Sequence, residues 1–98
     1  MSDEMTNDAA LTKTVKITNR RGLHARASAK FVTMASGLAA EVHVSKDNGP
    51  AVVGTSIMGL MMLGAAMGDS ITISTSGDGA EAALEQLVTL VEDRFGEE

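Results

Sequence analysis

The stretch KTVKITNRRGLHARASAKFVTMASG, from Lys13 to Gly37, changes its hydrophobic period once, and that change decides the fold. In KTVKIT, Val15 and Ile17 share one face while Thr14, Lys16 and Thr18 fall on the other, the period of a half-buried strand. NRRG is a loop stopped by a glycine. From His24 to about Ser36 the spacing becomes helical. Leu23, Ala27, Phe31, Met34 and Ala35 line one face, and Arg26, Lys30 and Thr33 lie away from it. Gly37 stands where a helix C-cap is expected.

The same two periods alternate through the rest of the chain. AEVHVS turns Val42 and Val44 to one side and Glu41, His43 and Ser45 to the other. KDNGP is a turn signal, so a hairpin into AVVG is expected, with Pro50 suited to a strand start or edge. Ser56 to about Leu63 fits a short helix with a hydroxyl at its start and Gly64 near its end. DSITIST is a fourth strand, with Ile71 and Ile73 inward. Ala80 to Phe95 then carries a helical stripe of Ala80, Ala83, Leu84, Leu87, Val88, Val91 and Phe95. Each strand has one apolar and one polar face, which favours an antiparallel sheet covered on one side. The expected fold is α+β: an open-faced β-sandwich, a four-stranded antiparallel sheet with three helices on one face in the order βαββαβα. Residues 1–12 read as a flexible acidic tail, and residues 13–98 as one domain.

Composition narrows the function. The chain has 98 residues, 44% of them apolar but only 2% aromatic, so Val, Ile, Leu, Met and Ala must build one small core. A net charge of -5 argues against general binding to nucleic acid or anionic membranes. Without cysteine there are no disulfides or thiolate chemistry, and two distant histidines make a poor metal site. No metal or other cofactor is expected. The start lacks the pattern of a signal peptide, and SIMGLMMLGAAMG is too short and too Gly-interrupted to span a bilayer, so a cytoplasmic location is expected.

His24 is the candidate for chemistry, the other reading being a histidine that only caps the helix. It stands at the head of a helix, where the first backbone N–H groups have no intrahelical partner and can hold an anion. A neutral imidazole there offers a lone pair and can act as a nucleophile. Ala25 and Ala27 add almost no bulk, so a partner can come close. The backbone N–H groups of Ala25, Arg26 and Ala27 form the expected cradle for a phosphoryl group. The Arg26 guanidinium can reach its oxygens and offset about -1.5 to -2 units of charge. Gly22 permits the tight turn into the helix.

A second motif follows Ser56. A helix this short cannot bury Ile57, Met58, Leu60, Met61, Met62 and Leu63 together, so part of this face is expected to form an adaptable docking surface near His24. Ile57, Met58, Leu60 and Met61 are its expected contacts. His43, on the polar face of a strand, reads as solvated, Asp69 as turn chemistry, and VEDRFGEE as a solvated terminus.

RRGLHARASAKFV resembles the active-site signature of HPr, the histidine-containing phosphocarrier family of the bacterial phosphoenolpyruvate-dependent phosphotransferase system. SIMGLMMLGAAMGDSITI is similar to that family's second signature. The resemblance runs from about Thr14 to Phe95. It implies that His24 accepts a phosphoryl group on Nδ1 from phospho-enzyme I and gives it to a histidine of an enzyme IIA domain. Arg26 matches the phosphate-stabilising arginine. Ser56 matches a serine that a dedicated HPr kinase/phosphorylase modifies in part of the family. The protein would be a monomeric carrier, not an enzyme in its own right. The family pattern usually has proline where this chain has Ala27, which leaves the start of the helix less stiff. Two rivals remain: a carrier in a nitrogen- or carbon-signalling relay without sugar transport, and a non-catalytic α+β module that binds a ligand or partner through its methionine face.

Overall fold

The computed structural model describes residues 10–97; most of the acidic tail, residues 1–9, and Glu98 lie outside the described residues. The elements run β1 (Leu11–Lys16), α1 (Ala25–Ser36), β2 (Glu41–Lys46), β3 (Val52–Val53), α2 (Ile57–Met62), β4 (Ser70–Ser76) and α3 (Ala80–Glu92). All strand pairs are antiparallel, and the sheet order is β1-β4-β2-β3. The expected α+β architecture is present.

The alternating strands do what their period requires. Val15, Val42, Val44, Ile71 and Ile73 are buried in one core with Phe31 and Ala35 of α1, Leu60 of α2, and Leu87 and Val91 of α3. On the outer face Thr14 and Thr72 share a hydroxyl hydrogen bond of 2.9 Å. The β2–β3 hairpin turns through Asp47 and Asn48, both at positive φ (55° and 60°), the conformation that matches strand twist in a two-residue turn. No described helix is long and apolar enough to cross a membrane.

Three expectations need correction. The first strand begins earlier than its alternation suggested. Leu11 pairs with Thr75 and Thr12 with Ser74, so these two residues belong to the sheet and not to the tail. Their side chains are exposed, so no apolar period marks them. Leu60, expected on the docking face, is 0% exposed and sits in the core. On a helix of six residues, one side chain must anchor the element, and Leu60 is the one that points inward. The last helix stops at Glu92 and does not run to Phe95. Arg94, Phe95 and Gly96 follow in a tight left-handed turn, with φ of 57°, 56° and 74°.

That turn is a conformation non-glycine residues avoid, at a cost of about 1–3 kcal/mol each. Two contacts hold it. The Phe95 side chain is fully buried in the core, and the Lys30 Nζ of α1 donates to the Phe95 carbonyl at 2.8 Å. The periodic stripe was right about Phe95 being buried and wrong about the path that buries it.

The loop from Ile17 to Leu23 is tied to the segment between α2 and β4. Ile17 N donates to Asp69 O at 2.8 Å, Gly68 N to Ile17 O at 2.8 Å, and Leu23 N to Ala65 O at 3.0 Å. Asp69 stiffens the second segment by accepting from Ala66 N at 2.9 Å and pairing with Lys46 at 3.4 Å. Gly22, at φ +64°, lies where the two segments touch. A Cβ there would strike the Ala65 carbonyl oxygen and come within 2.8 Å of Ala66 Cα. Gly22→Ala is therefore expected to destabilise the fold by about 2 kcal/mol or more, from the left-handed backbone and the backbone clash together. Urea unfolding checks it, and a parental midpoint would contradict it.

Candidate functional site: a histidine at the head of α1

His24 is the N-cap of α1, with extended backbone (φ -76°, ψ -179°). Its carbonyl accepts the first helical hydrogen bond, from Ser28 N at 2.9 Å, and Ser28 Oγ donates to Leu23 O at 3.2 Å. These two bonds fix the backbone on which the ring is mounted. The ring takes the place that a Ser or Asp side chain usually holds at an N-cap. Its Nδ1 accepts from the Arg26 backbone N–H at 3.3 Å. That distance is long for an N–H hydrogen bond, so the Nδ1 lone pair is only loosely engaged.

The other ring nitrogen meets a residue that sequence reasoning left in solvent. His24 Nε2 lies 2.8 Å from Glu97 Oε2. The left-handed turn at Arg94–Gly96 brings Glu97 back over the head of α1. Buried Asn19 steadies both sides: its Nδ2 donates to Gly22 O at 2.9 Å and to Glu97 Oε1 at 3.2 Å. Partial burial pushes the Glu97 carboxyl up. Hydrogen bonds from His24 and then Asn19, with the charges of His24 and Lys30, outweigh that and hold it below the usual carboxylate range. An ionised carboxylate only accepts, and a backbone N–H only donates. The two partners therefore select the tautomer with hydrogen on Nε2 and the lone pair on Nδ1. The roles of Asn19 and Glu97 carried no periodic signal; a polar residue just before a glycine turn was the only hint of the first.

A cavity of about 500 Å³ opens beside the ring, lined by Arg20, Arg21, Arg26, Lys30, Arg94 and Glu97 among others. Five of the eight Lys and Arg residues of an acidic chain thus gather at one place. Such clustering creates a local positive field that net charge conceals. Arg26 is exposed in the first turn of α1, beside His24, as expected. Ala25 is exposed, whereas Ala27 is fully buried, so only its backbone remains for the cradle. The His24 side chain is 21% exposed and so remains open to a reactant.

Ser56 caps α2, its Oγ accepting from Gly59 N at 2.9 Å. Ile57, Met58 and Met61 are exposed, and Met62 and Met67, outside the expected set, join them; Met62 is the most open at 78%. The Leu23–Ala65 hydrogen bond ties the residue before His24 to the segment that follows this helix. His43 is half-buried in β2 opposite Ser74 and Val53, away from the site.

Comparisons with known proteins identify the family. A family model described as the PTS HPr component phosphorylation site matches residues 11–93. Phosphocarrier protein HPr of Cupriavidus necator is 42% identical over 89% of this chain and 97% of its own length. Phosphocarrier protein NPr of Shewanella violacea is 39% identical over 89% of this chain and 94% of its own. The crystal structure of HPr-C-His from Thermoanaerobacter tengcongensis superposes with a TM-score of 0.84 at 44% identity, covering 90% of this chain and 98% of that one. The fold and the family together define a phosphocarrier rather than a catalytic enzyme. The chain belongs to the HPr family of the phosphotransferase system.

The Glu97 contacts make stability depend on pH. A carboxyl whose folded pKa is lowered stabilises the fold above its unfolded pKa, and the contribution is lost as pH falls through the lower folded value. Between neutral pH and the acid limb, the parent is expected to lose more stability than Glu97→Gln. Parallel urea-unfolding curves for the two proteins across that range would contradict the assignment.

Proposed function

We propose that His24 accepts a phosphoryl group on Nδ1 from phosphorylated enzyme I and passes it to a histidine of an enzyme IIA domain. The observation that carries this reading is the His24 ring itself, with a loosely held Nδ1 lone pair at the start of α1. Attack places the phosphoryl group among the first-turn N–H groups of Ala25, Arg26 and Ala27, with the Arg26 guanidinium in reach of its oxygens. The reaction is a transfer between two histidines on two proteins, so positioning and charge supply most of the rate. Both ends of that transfer belong to partners, and the work takes place in the cytoplasm with the carrier as a monomer.

Docking falls to the exposed apolar face of Ile57, Met58 and Met61, extended by Met62 and Met67. Flexible methionines suit a surface that must fit more than one partner. Ser56 stands at the edge of this face, as a site for an HPr kinase/phosphorylase. A phosphate there would sit at a helix start that tolerates it, and its negative charge would weaken recognition by enzyme I.

A second reading has a specific support. NPr relatives at 35–39% identity stand beside HPr relatives at 40–47%, over similar shares of the chain. In that reading the same chemistry at His24 feeds a regulatory relay, and the acceptor alone differs.

Incubation with enzyme I and labelled phosphoenolpyruvate is expected to give an acid-labile, base-stable adduct that His24→Ala lacks. An adduct that survives the substitution would overturn the reading. Offering the labelled carrier to sugar-branch and regulatory enzyme IIA domains separates the two readings by which one drains the label. Met58 is 69% exposed, so Met58→Glu should leave the fold intact. It is expected to lower kcat/KM for phosphorylation by enzyme I about tenfold or more, the scale of a contact at the centre of an interface. Parental kinetics would remove this face from the docking surface.

A further inference from the structure

We infer that residues 1–9 of this chain dock in the groove between α1 and α3 and set their carboxylates against Arg26 and Lys30. In that place they shield two cations of the phosphoryl site. Only this consequence for transfer rests on the phosphocarrier reading above; the docking itself does not.

The groove has a volume of about 640 Å³. Arg26 and Lys30 stand at one end, Leu38 at the other, and Met34, Gln86 and Leu90 between them. Met34, Leu38 and Leu90 pack on the core yet stay half-buried. Among the described residues, no acidic side chain lines the groove. Its floor suits an apolar side chain and its charged end suits an anion. Arg26 and Lys30 also line the cavity beside His24, so the groove and the phosphoryl site share them.

The point where the chain enters the sheet favours its own first residues as occupant. Leu11 and Val42 both pair with Thr75, from opposite sides. Leu11 is therefore two strand spacings, about 10 Å, from Val42, and Leu38 lies four residues before Val42. The start of β1 and the Leu38 end of the groove thus share one end of the molecule. From Ser36 back to Lys30, α1 covers about 9 Å. Nine extended residues span up to about 30 Å, enough to reach the groove and follow it to Lys30.

The segment has the matching chemistry. It carries Asp3, Glu4 and Asp8, neither Lys nor Arg, and Met5 between the charges. In an extended path Met5 lies about 17 Å from Ala10, over the apolar floor, and Glu4 and Asp3 about 20–23 Å, near Lys30. Glu85 and Asp93 line a neighbouring depression on α3 and repel the segment toward the α1 side. A short tether gives an effective concentration in the mM range, so a weak site suffices. The family match begins at residue 11, so the segment lies outside it.

The chain contains no cysteine, so Thr6→Cys carries a single nitroxide on the full-length protein. At low salt the label is expected to broaden the amide signals of Thr33, Gly37, Leu38 and Leu90 several-fold more than those of Thr14 and Thr72 on the outer sheet face. Asp3→Asn, Glu4→Gln and Asp8→Asn together, or about 1 M salt, where screening acts within about 3 Å, are expected to reverse most of the broadening. The unlabelled neutralised chain is expected to show kcat/KM for phosphorylation by enzyme I about two- to fivefold above the parent at low salt. Glu41→Gln, Asp78→Asn and Glu81→Gln together make the same change in net charge away from the groove and are expected to have a smaller effect. Broadening that is absent, uniform or confined to the sheet face would overturn the docking and leave the groove to a partner. Broadening in a nitrogen-15-labelled copy without nitroxide, mixed with the spin-labelled protein, would also overturn it, since the occupant would be a second copy's segment. Equal kcat/KM for parent and neutralised chain at low salt would overturn the shielding. A parent that takes no phosphoryl group from enzyme I would instead sink the phosphocarrier reading, and the broadening would still decide where residues 1–9 lie.

Discussion

The imidazole of His24 stands between two partners of opposite kind, a backbone N–H at 3.3 Å from Nδ1 and a carboxylate at 2.8 Å from Nε2. Neither partner alone would fix its state. The amide leaves a lone pair facing the start of a helix, and the carboxylate decides which nitrogen carries that lone pair. Much of the remaining structure serves to keep these three groups in register. The core seats α1 through Phe31 and Ala35, Ser28 locks the backbone ahead of the first turn, and buried Asn19 spans the gap between the Gly22 carbonyl and Glu97.

Openness and charge are the other half of the design. The His24 side chain stays accessible at 21% exposure although both nitrogens are engaged, as the proposed transfer between two proteins requires. The acidic chain places most of its cations at the same spot, which suits a group that arrives carrying about two negative charges. Close by, Ile57, Met58, Met61 and Met62 of α2 remain uncovered. In the proposed function a local cationic site for chemistry stands beside an apolar face for docking, so either can change without dismantling the other.

The parts of this arrangement that follow from local period were legible in the sequence. The strand faces, the three helices, the hairpin at Asp47–Asn48 and the position of His24 at a helix start all come from spacing and turn chemistry. The resemblance to the HPr signatures then supplied the proposed roles of His24, Arg26 and Ser56. What escaped was set by tertiary contact. VEDRFGEE looks like a charged terminus because only one of its residues beyond the helix is apolar, yet that residue, Phe95, is an anchor that turns Glu97 inward. Leu60 is indistinguishable by type from its exposed neighbours, and only the direction of a short helix separates them. Leu11 and Thr12 join the sheet through backbone hydrogen bonds, which leave no trace in hydrophobicity. The five cations around His24 come from three separate segments, so no run of sequence displays them together.

The account's central claim is that Nδ1 of His24, and no other atom, forms the bond to phosphorus. Phosphorus–nitrogen correlation NMR on the nitrogen-15-labelled protein, after treatment with enzyme I and phosphoenolpyruvate, reads that bond directly. The account predicts one phosphorus resonance coupled to Nδ1 of His24. A resonance coupled to Nε2, or to a nitrogen of His43, would contradict it.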